Sequence, residues 1–306
     1  MNLSIKKISL CILFGTASIS VAIAQTNTTP EKNINQSDPQ AAAFICPANM
    51  TCTPKNQTDK QSNHQSILST YQPNYVLPFY YTANPQQNEV GPNGEQNKNE
   101  EVKFQISVKA NIWRNILNSN FSWYLAYTQL SYWQAYTQSA YFRETNYEPA
   151  TFVQYKFQNK PFLLDSISGG FMHQSNGRGG SLERSWNRIF ADITFNYHDK
   201  AQLQLMPWVR VNTGYDYNPD ISDYLGYGST TISYNIGNNV ISLMLRNEAE
   251  SGFSRGAEEL DYSFPIYHGI RGMLQAFSGY GQSLIEYNHY TNSIGVGFDF
   301  SDWLFT

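Results

Sequence analysis

Strict alternation of apolar and polar side chains begins at residue 102. Apolar side chains occupy the even positions of residues 102–112, and Lys103, Gln105, Ser107, Lys109 and Asn111 lie between them. A period of two is typical of a β-strand with one apolar and one polar face. The same pattern recurs in residues 189–197, 202–212, 241–246 and 293–300. The chain is therefore predicted to be all-β.

The size and composition of the alternating region favour a membrane barrel. Residues 102–306 accommodate about a dozen strands of about ten residues each. The chain contains 22 Tyr, 18 Phe and 6 Trp, but only 14% of its residues are charged. After the N-terminus, no stretch remains apolar for about 18 residues, which argues against helical membrane spans. We therefore predict a transmembrane, antiparallel up-and-down β-barrel over residues 102–306, with apolar faces toward lipid.

A soluble lipocalin-like barrel or a β-sandwich is the alternative fold, because alternation alone does not distinguish an inner from an outer face. The N-terminus favours the membrane version. Lys6 and Lys7 precede a mostly small and apolar stretch, residues 8–23, and Ala22-Ile23-Ala24 fits a small-x-small cleavage site. Residues 1–24 are therefore predicted to be a signal peptide. An uncleaved anchor is the alternative to this signal peptide.

Residues 25–101 are predicted to form a polar, partly disordered N-terminal segment, because most of them show no sustained period. The more apolar residues 71–81 are expected to dock on the barrel. An exported chain meets an oxidising compartment, so a disulfide is predicted between Cys46 and Cys52. The net charge of −4 argues against a nucleic-acid partner.

The candidate chemistry lies in the sequence FMHQSNGRGGSLERSWNRI, residues 171–189. His173 and Ser175 are two residues apart, so they share one face of a strand. An imidazole beside a hydroxyl is what a serine nucleophile requires. A glycine-rich turn follows, and a hairpin centred near Ser181 places Asn187 opposite His173 or Ser175. The alternation of both strands predicts that these side chains face lipid.

This arrangement predicts a role for each residue. His173 takes the proton of Ser175 as that residue attacks an ester carbonyl. Asn187 orients the imidazole, and the backbone N–H of Gly177 is a candidate oxyanion donor. On spacing alone, a polar loop at a barrel rim explains the same residues.

The segments HQSNGR and SWNR closely resemble the signature of the outer-membrane phospholipase A family. Three further blocks agree: YTQLSYWQ (127–134), FRETNYEP (142–149) and SGYGQSLIEYN (278–288). The resemblance implies a twelve-stranded barrel in the outer membrane of a Gram-negative-type envelope. It also implies hydrolysis of glycerophospholipid acyl esters, with Ser175, His173 and Asn187 as the catalytic residues.

The same resemblance implies a calcium ion (Ca²⁺) and activation by homodimerisation. The calcium ligands map onto the Arg178 carbonyl, Glu183, and Ser139 of the partner chain. The family commonly has serine at the position of Glu183 and an acidic residue at that of Gly180. Glu183 remains a suitable ligand for a hard cation. Gly180 does not supply the carboxylate that a second calcium site at this position would need.

Gln129 is predicted to lie at the dimer interface, because it shares the lipid-facing parity of its strand. A lone amide facing lipid is costly in a monomer. Hydrogen bonds to lipid headgroups are the alternative. Arg143, Glu144 and Glu148, in the block FRETNYEP, are interpreted as a lumenal charge network.

Two other functions compete with the phospholipase. The first is a catalytically silent barrel, such as a porin or adhesin. The second is a soluble secreted lipase, although the chain lacks the Gly-x-Ser-x-Gly elbow of soluble α/β lipases.

Overall fold

The computed structural model describes residues 67–301 except 88–90, 92, 199, 212–213, 215, 248 and 250. The predicted signal peptide, the Cys46–Cys52 disulfide and most of the polar N-terminal segment lie outside these residues. In the described part of the chain, no helix is both long and apolar enough to cross a membrane.

The described residues form thirteen strands and one short α-helix, α1 (Ile221–Leu225). The strands are β1 (Leu68–Thr70), β2 (Tyr75–Thr82), β3 (Glu100–Trp113), β4 (Phe121–Gln134), β5 (Tyr141–Lys156), β6 (Leu164–Ser175), β7 (Ser185–Tyr197), β8 (Ala201–Val211), β9 (Gly228–Ile236), β10 (Asn239–Arg246), β11 (Ala257–Tyr267), β12 (Ile270–Tyr280) and β13 (Tyr290–Asp299). Short 3₁₀ turns occupy Ile116–Asn118, Pro161–Leu163 and Gly180–Leu182.

Antiparallel pairing closes these strands into a barrel. Each strand from β3 to β13 pairs with its neighbour in sequence, and β2 pairs with both β13 and β3. The short β1 also pairs with β3, beyond the end of β2, so β1 and β2 share one strand position. The predicted transmembrane barrel of about twelve strands is confirmed.

The barrel begins earlier in the chain than residue 102, where the alternation predicted it to begin. Tyr75–Thr82 is a full barrel strand and does not merely dock on the outside. Its pairing with β3 shifts register between Leu77 and Tyr80, so both side chains point inward despite their different parity. This bulge interrupts the period of two, which is why the pattern did not identify the strand.

The outer surface is apolar and carries aromatic side chains toward both ends, as expected for a barrel in lipid. The exposed side chains include Trp113, Phe121, Trp123, Trp133, Tyr136, Phe142, Tyr197, Tyr234 and Tyr267. Many polar and charged side chains line the lumen instead. Lys103, for example, is 2% exposed, pairs with Glu259 at 3.2 Å, and lies over the rings of Tyr75, Tyr80 and Tyr132.

The two ends of the barrel differ in the length of their connections. At one end lie the described residues of the connections 83–99, 135–140, 176–184, 212–227, 247–256 and 281–289. The other end carries mostly shorter turns, such as residues 237–238 and 268–269. Outer-membrane barrels place their longer loops outside the cell. The connection 176–184, which follows Ser175, lies at this long-loop end.

The β12–β13 connection folds back into the barrel mouth, and we call residues 281–289 the inner segment. Leu284, Ile285 and Tyr287 are buried, and Leu284 and Tyr287 belong to the main apolar cluster of the lumen. Glu286 is completely buried and forms an ion pair of 3.0 Å with Arg143. The inner segment therefore packs inside the barrel mouth.

The Glu286 carboxyl is expected to make barrel stability sensitive to acid. Burial opposes its ionisation, but Arg143 and the Ser283 hydroxyl offset that effect and hold its pKa below the usual value. Because its folded-state pKa is lowered, the Glu286 carboxylate stabilises the fold at pH values above its unfolded pKa of about 4.3. This stabilisation is lost as the pH falls through the folded-state pKa. Thermal unfolding midpoints between about pH 6 and about pH 3 should fall less in Glu286→Gln than in the wild type. An equal fall in both proteins would contradict this assignment.

Candidate active site

The β6–β7 hairpin brings His173 and Asn187 directly opposite each other. The two residues are register partners, and His173 Nδ1 lies 2.9 Å from Asn187 Oδ1. An amide oxygen only accepts hydrogen bonds, so this contact requires a proton on Nδ1. The imidazole Nε2 is then left as the acceptor, which is the tautomer that a general base needs.

Ser175 follows two residues after His173 on the same outward face of β6. Adjacent side chains on one strand face lie about 7 Å apart along the backbone. Both residues are half-buried, and Phe171 and Ile189 lie exposed beside them on the lipid-facing surface. The predicted outward orientation of His173, Ser175 and Asn187 is therefore observed. The site lies at the ends of β6 and β7, where the lipid-facing wall meets the long loops.

The lumenal side of the hairpin is packed behind the site. Trp186 donates from Nε1 to Gln174 Oε1 at 2.7 Å. The Arg188 guanidinium lies 4.2 Å from the Trp186 ring centroid and pairs with Glu148 at 2.7 Å. These contacts join β5, β6 and β7 immediately behind the outward-facing His173, Ser175 and Asn187. They restrict the relative movement of the strands that carry the site.

Asn176 fixes the shape of the connection between β6 and β7. Its Oδ1 accepts from the backbone N–H groups of Arg178 at 3.3 Å and Arg184 at 3.0 Å. Its Nδ2 donates to the Leu182 carbonyl at 2.9 Å, and its backbone N–H donates to the Arg184 carbonyl. Sequence reasoning did not assign this residue a role, although an asparagine followed by a glycine, a pair typical of turns, was the available signal.

Gly177 has a left-handed backbone conformation, with φ of +65°. A Cβ atom at this position would also lie only 3.0 Å from the Tyr147 ring. Glycine is required here because it tolerates this φ and leaves space for the ring. The Gly177 N–H therefore belongs to a tightly constrained turn immediately after the candidate nucleophile.

The candidate calcium ligands fall into two groups in this single chain. Arg178 and Glu183 lie on the β6–β7 connection, and Glu183 is half-exposed. Ser139 lies on the β4–β5 connection at the same end of the barrel. The described residues contain no cluster of three or more His, Cys, Asp or Glu side chains that could hold a metal. The donor set is one carboxylate with carbonyl and hydroxyl oxygens, which suits Ca²⁺ completed by water.

Gln129 lies on the outward face of β4, but its amide is not alone. Tyr127 donates its hydroxyl to Gln129 Oε1 at 3.0 Å, and Gln129 Nε2 donates to Ser131 Oγ at 3.1 Å. The Gln129 amide is therefore not a lone polar group on this surface, because its oxygen and its nitrogen each have a neighbouring side-chain partner. The position of Gln129 at a dimer interface remains a prediction from the resemblance.

Comparison with known proteins identifies the family. The family model described as phospholipase A1 matches residues 53–300. A phospholipase A1 of Klebsiella pneumoniae is 36% identical over 242 residues, covering 77% of this chain and 83% of that protein. The chain belongs to the phospholipase A1 family. It is a phospholipase, an ester hydrolase, in the form of an outer-membrane β-barrel.

Solved structures agree with this assignment. Outer membrane phospholipase A from Escherichia coli is 34% identical, with a TM-score of 0.72 over 78% of this chain and 99% of that chain. One solved form of the E. coli protein is an active-site mutant with alanine in place of asparagine. The outer membrane phospholipase of Salmonella typhi, solved as a dimer with bound calcium, is 33% identical with a TM-score of 0.72. That comparison covers 78% of this chain and 94% of the S. typhi chain.

Proposed function

We propose that this phospholipase hydrolyses acyl esters of glycerophospholipids through Ser175, His173 and Asn187. The contact between His173 Nδ1 and Asn187 Oδ1 carries the proposal, since it orients an imidazole on the same lipid-facing surface as Ser175. The active-site asparagine of the E. coli relative supports the same choice. The proposed substrates include both ester positions, giving A1 and A2 activity, and lysophospholipids.

The proposed reaction has two halves. His173 Nε2 takes the Ser175 hydroxyl proton while Oγ attacks the ester carbonyl carbon. The bond from that carbon to the glycerol oxygen breaks, and His173 returns the proton to the departing alcohol. Water then loses a proton to His173 and attacks the acyl-serine. A fatty acid is released, and His173 returns the proton to Ser175.

Asn187 is proposed to stabilise the imidazolium that forms in each half. An asparagine does this less strongly than an aspartate, but it avoids a bare carboxylate beside lipid. The Gly177 N–H is proposed to donate to the oxyanion, and its constrained φ fixes its direction. A site on the outer wall reaches esters near the membrane surface without extracting the lipid into the lumen.

We further propose that calcium binds at the Arg178 carbonyl and Glu183, together with Ser139 of the partner subunit. Bound calcium would stabilise negative charge that develops on the ester oxygen. The two groups of ligands lie on separate connections, and the S. typhi relative was solved as a calcium-bound dimer. Activation by homodimerisation follows if both chains contribute ligands, with Gln129 at the interface.

The first test is fatty-acid release from a diacyl phospholipid in detergent micelles, with calcium and with excess chelator. We expect release with calcium and little without it, together with a shift from monomer to dimer by cross-linking. Substrates labelled at one acyl position would show which ester is cleaved. A folded, calcium-loaded dimer without turnover would contradict the proposed function.

Glu183→Ala is expected to raise the calcium concentration for half-maximal activity about tenfold or more. Loss of an outer-shell partner of a metal site lowers metal affinity about 10- to 100-fold, so loss of a direct carboxylate ligand should lower it by at least about tenfold. Glu183→Gln keeps the size and an oxygen ligand but removes the charge, so it should give an intermediate value. Glu258→Gln, at an exposed position on β11, is the matched control. An unchanged calcium requirement in Glu183→Ala would remove Glu183 from the metal site.

A further inference from the structure

A completely buried carboxylate, Glu144, lies at the start of β5 on the lumenal side. The pairing of β4 with β5 shifts register here, because Trp133 faces Phe142 whereas Tyr132 faces Glu144. The extra residue is Arg143. Bulges redirect side chains, and this one turns both Arg143 and Glu144 inward. Regular alternation would have directed one of the two charges into lipid.

Glu144 contacts three separate segments. Its Oε2 lies 3.2 Å from Nε of Arg178 on the β6–β7 connection. Its Oε1 accepts from Asn146 Nδ2 at 2.8 Å and from the backbone N–H of Ile285 at 3.2 Å. One buried carboxylate thus joins β5, the inner segment and the connection that carries the candidate oxyanion donor.

The Arg178 side chain attaches that connection to β5 inside the barrel. Besides Glu144, its guanidinium contacts the Arg143 carbonyl. Arg178 stands between Gly177 and Gly179, so neither neighbour has a side chain that could fix the backbone. Asn176 determines the shape of the turn, whereas the contacts of Arg178 determine where the turn lies relative to β5.

The nearby ion pairs do not serve the same purpose. Arg143 is bound by Glu101 at 2.9 Å and by Glu286 at 3.0 Å. This group holds the inner segment in the barrel mouth. Glu148 and Arg188 join two strands behind the site. Of these lumenal carboxylates, Glu144 is the one that contacts the β6–β7 connection directly.

We propose that Glu144 is a positioning residue for ester hydrolysis, acting through Arg178 to hold the Gly177 N–H where the oxyanion forms. This inference rests on the proposed function of Ser175 and Gly177. Glu144 does not touch substrate, because it lies in the lumen and the lipid-facing wall separates it from Ser175. Its effect reaches the site through the short backbone path from Arg178 to Gly177.

The inference predicts a specific kinetic defect. In Glu144→Gln, Arg178 loses its ion pair with Glu144, which weakens the attachment of the turn to β5, whereas its contact with the Arg143 carbonyl remains. A displacement of about 1 Å at an oxyanion donor lowers kcat on the order of 100-fold, so we expect a decrease of about 10- to 100-fold. KM should stay within about twofold, since acyl-chain contacts on the outer wall do not change.

The experiment compares wild type, Glu144→Gln, Arg178→Gln and the double variant in calcium-saturated micelles. If the two residues act as one unit, the double variant should be no slower than the slower single variant. Glu259→Gln is the matched control, because it breaks a different lumenal ion pair, with Lys103. It should match the wild type in kcat. Thermal unfolding midpoints of all variants are measured in parallel.

Several results would overturn the inference. One is an unchanged kcat in both Glu144→Gln and Arg178→Gln, and another is a defect confined to KM. The inference would also be overturned if the kcat losses of the two single variants multiplied in the double variant, because the two residues would then act independently. A loss of kcat in Glu259→Gln as large as that in Glu144→Gln would overturn it as well. If Glu144→Gln does not fold, the kcat of Arg178→Gln tests the inference by itself, because this substitution breaks the same ion pair from the side of the β6–β7 connection. A wild type without phospholipase activity would instead refute the proposed function.

Discussion

Ser175→Ala is expected to lower kcat for phospholipid hydrolysis by about 10⁴-fold or more. The substitution removes the oxygen proposed to form the acyl-enzyme, while the proposed oxyanion donor and the substrate surface remain. KM and calcium-dependent dimerisation should change little, because the hydroxyl contributes mainly to the reaction. The measurement is the initial rate of fatty-acid release at saturating substrate and calcium.

Ser185→Ala is the matched control for this variant. Ser185 is the register partner of Ser175 on β7 and faces the same side of the wall. Its replacement removes a hydroxyl from the same part of the lipid-facing surface without removing the candidate nucleophile. We expect near-wild-type turnover. Substantial activity in Ser175→Ala would show that another residue is the nucleophile.

His173→Ala is expected to produce a second very large loss, also on the order of 10⁴-fold in kcat. The substitution removes the imidazole that is proposed to accept the Ser175 proton at neutral pH. Asn187→Ala should cost less, because a hydrogen bond to a charged group is worth about 1.5 to 3 kcal/mol. That range corresponds to about 10- to 150-fold in rate. Initial rates at neutral pH give both values.

Asn187→Asp and His289→Ala complete this comparison. The aspartate keeps an acceptor for Nδ1, so it should retain more activity than Asn187→Ala. His289 lies in the connection 281–289, at the same end of the barrel, and contacts the Asn84 carbonyl. Its replacement should leave kcat unchanged. Equal activities of His173→Ala and wild type would exclude the imidazole as the base.

The period of two was sufficient to place the candidate catalytic residues. It predicted that His173, Ser175 and Asn187 face outward, and the hairpin length predicted that Asn187 would lie opposite His173 or Ser175. The register of β6 with β7 selects His173. Regular antiparallel pairing has few degrees of freedom, so the sequence could determine this part of the site.

Bulges limited what the pattern could predict. The register shift in β2 concealed a barrel strand, and the shift at Arg143 turned two adjacent charges into the lumen. Neither register shift changes which types of residue the segment contains, so the alternation pattern alone cannot locate it. Contacts between distant segments were equally inaccessible. The bond from Glu144 to the Ile285 backbone joins residues 141 positions apart, and no local spacing predicts it.

The most direct test of the account identifies the residue that becomes covalently modified. The folded protein is treated, in micelles with calcium, with a fluorophosphonate reagent that carries a long alkyl chain. Peptide mass spectrometry then locates the adduct. We expect modification of Ser175, strongly slowed in His173→Ala and slowed less in Asn187→Ala. An adduct on another residue, with Ser175 unmodified and activity lost, would contradict the assignment of Ser175 as the nucleophile.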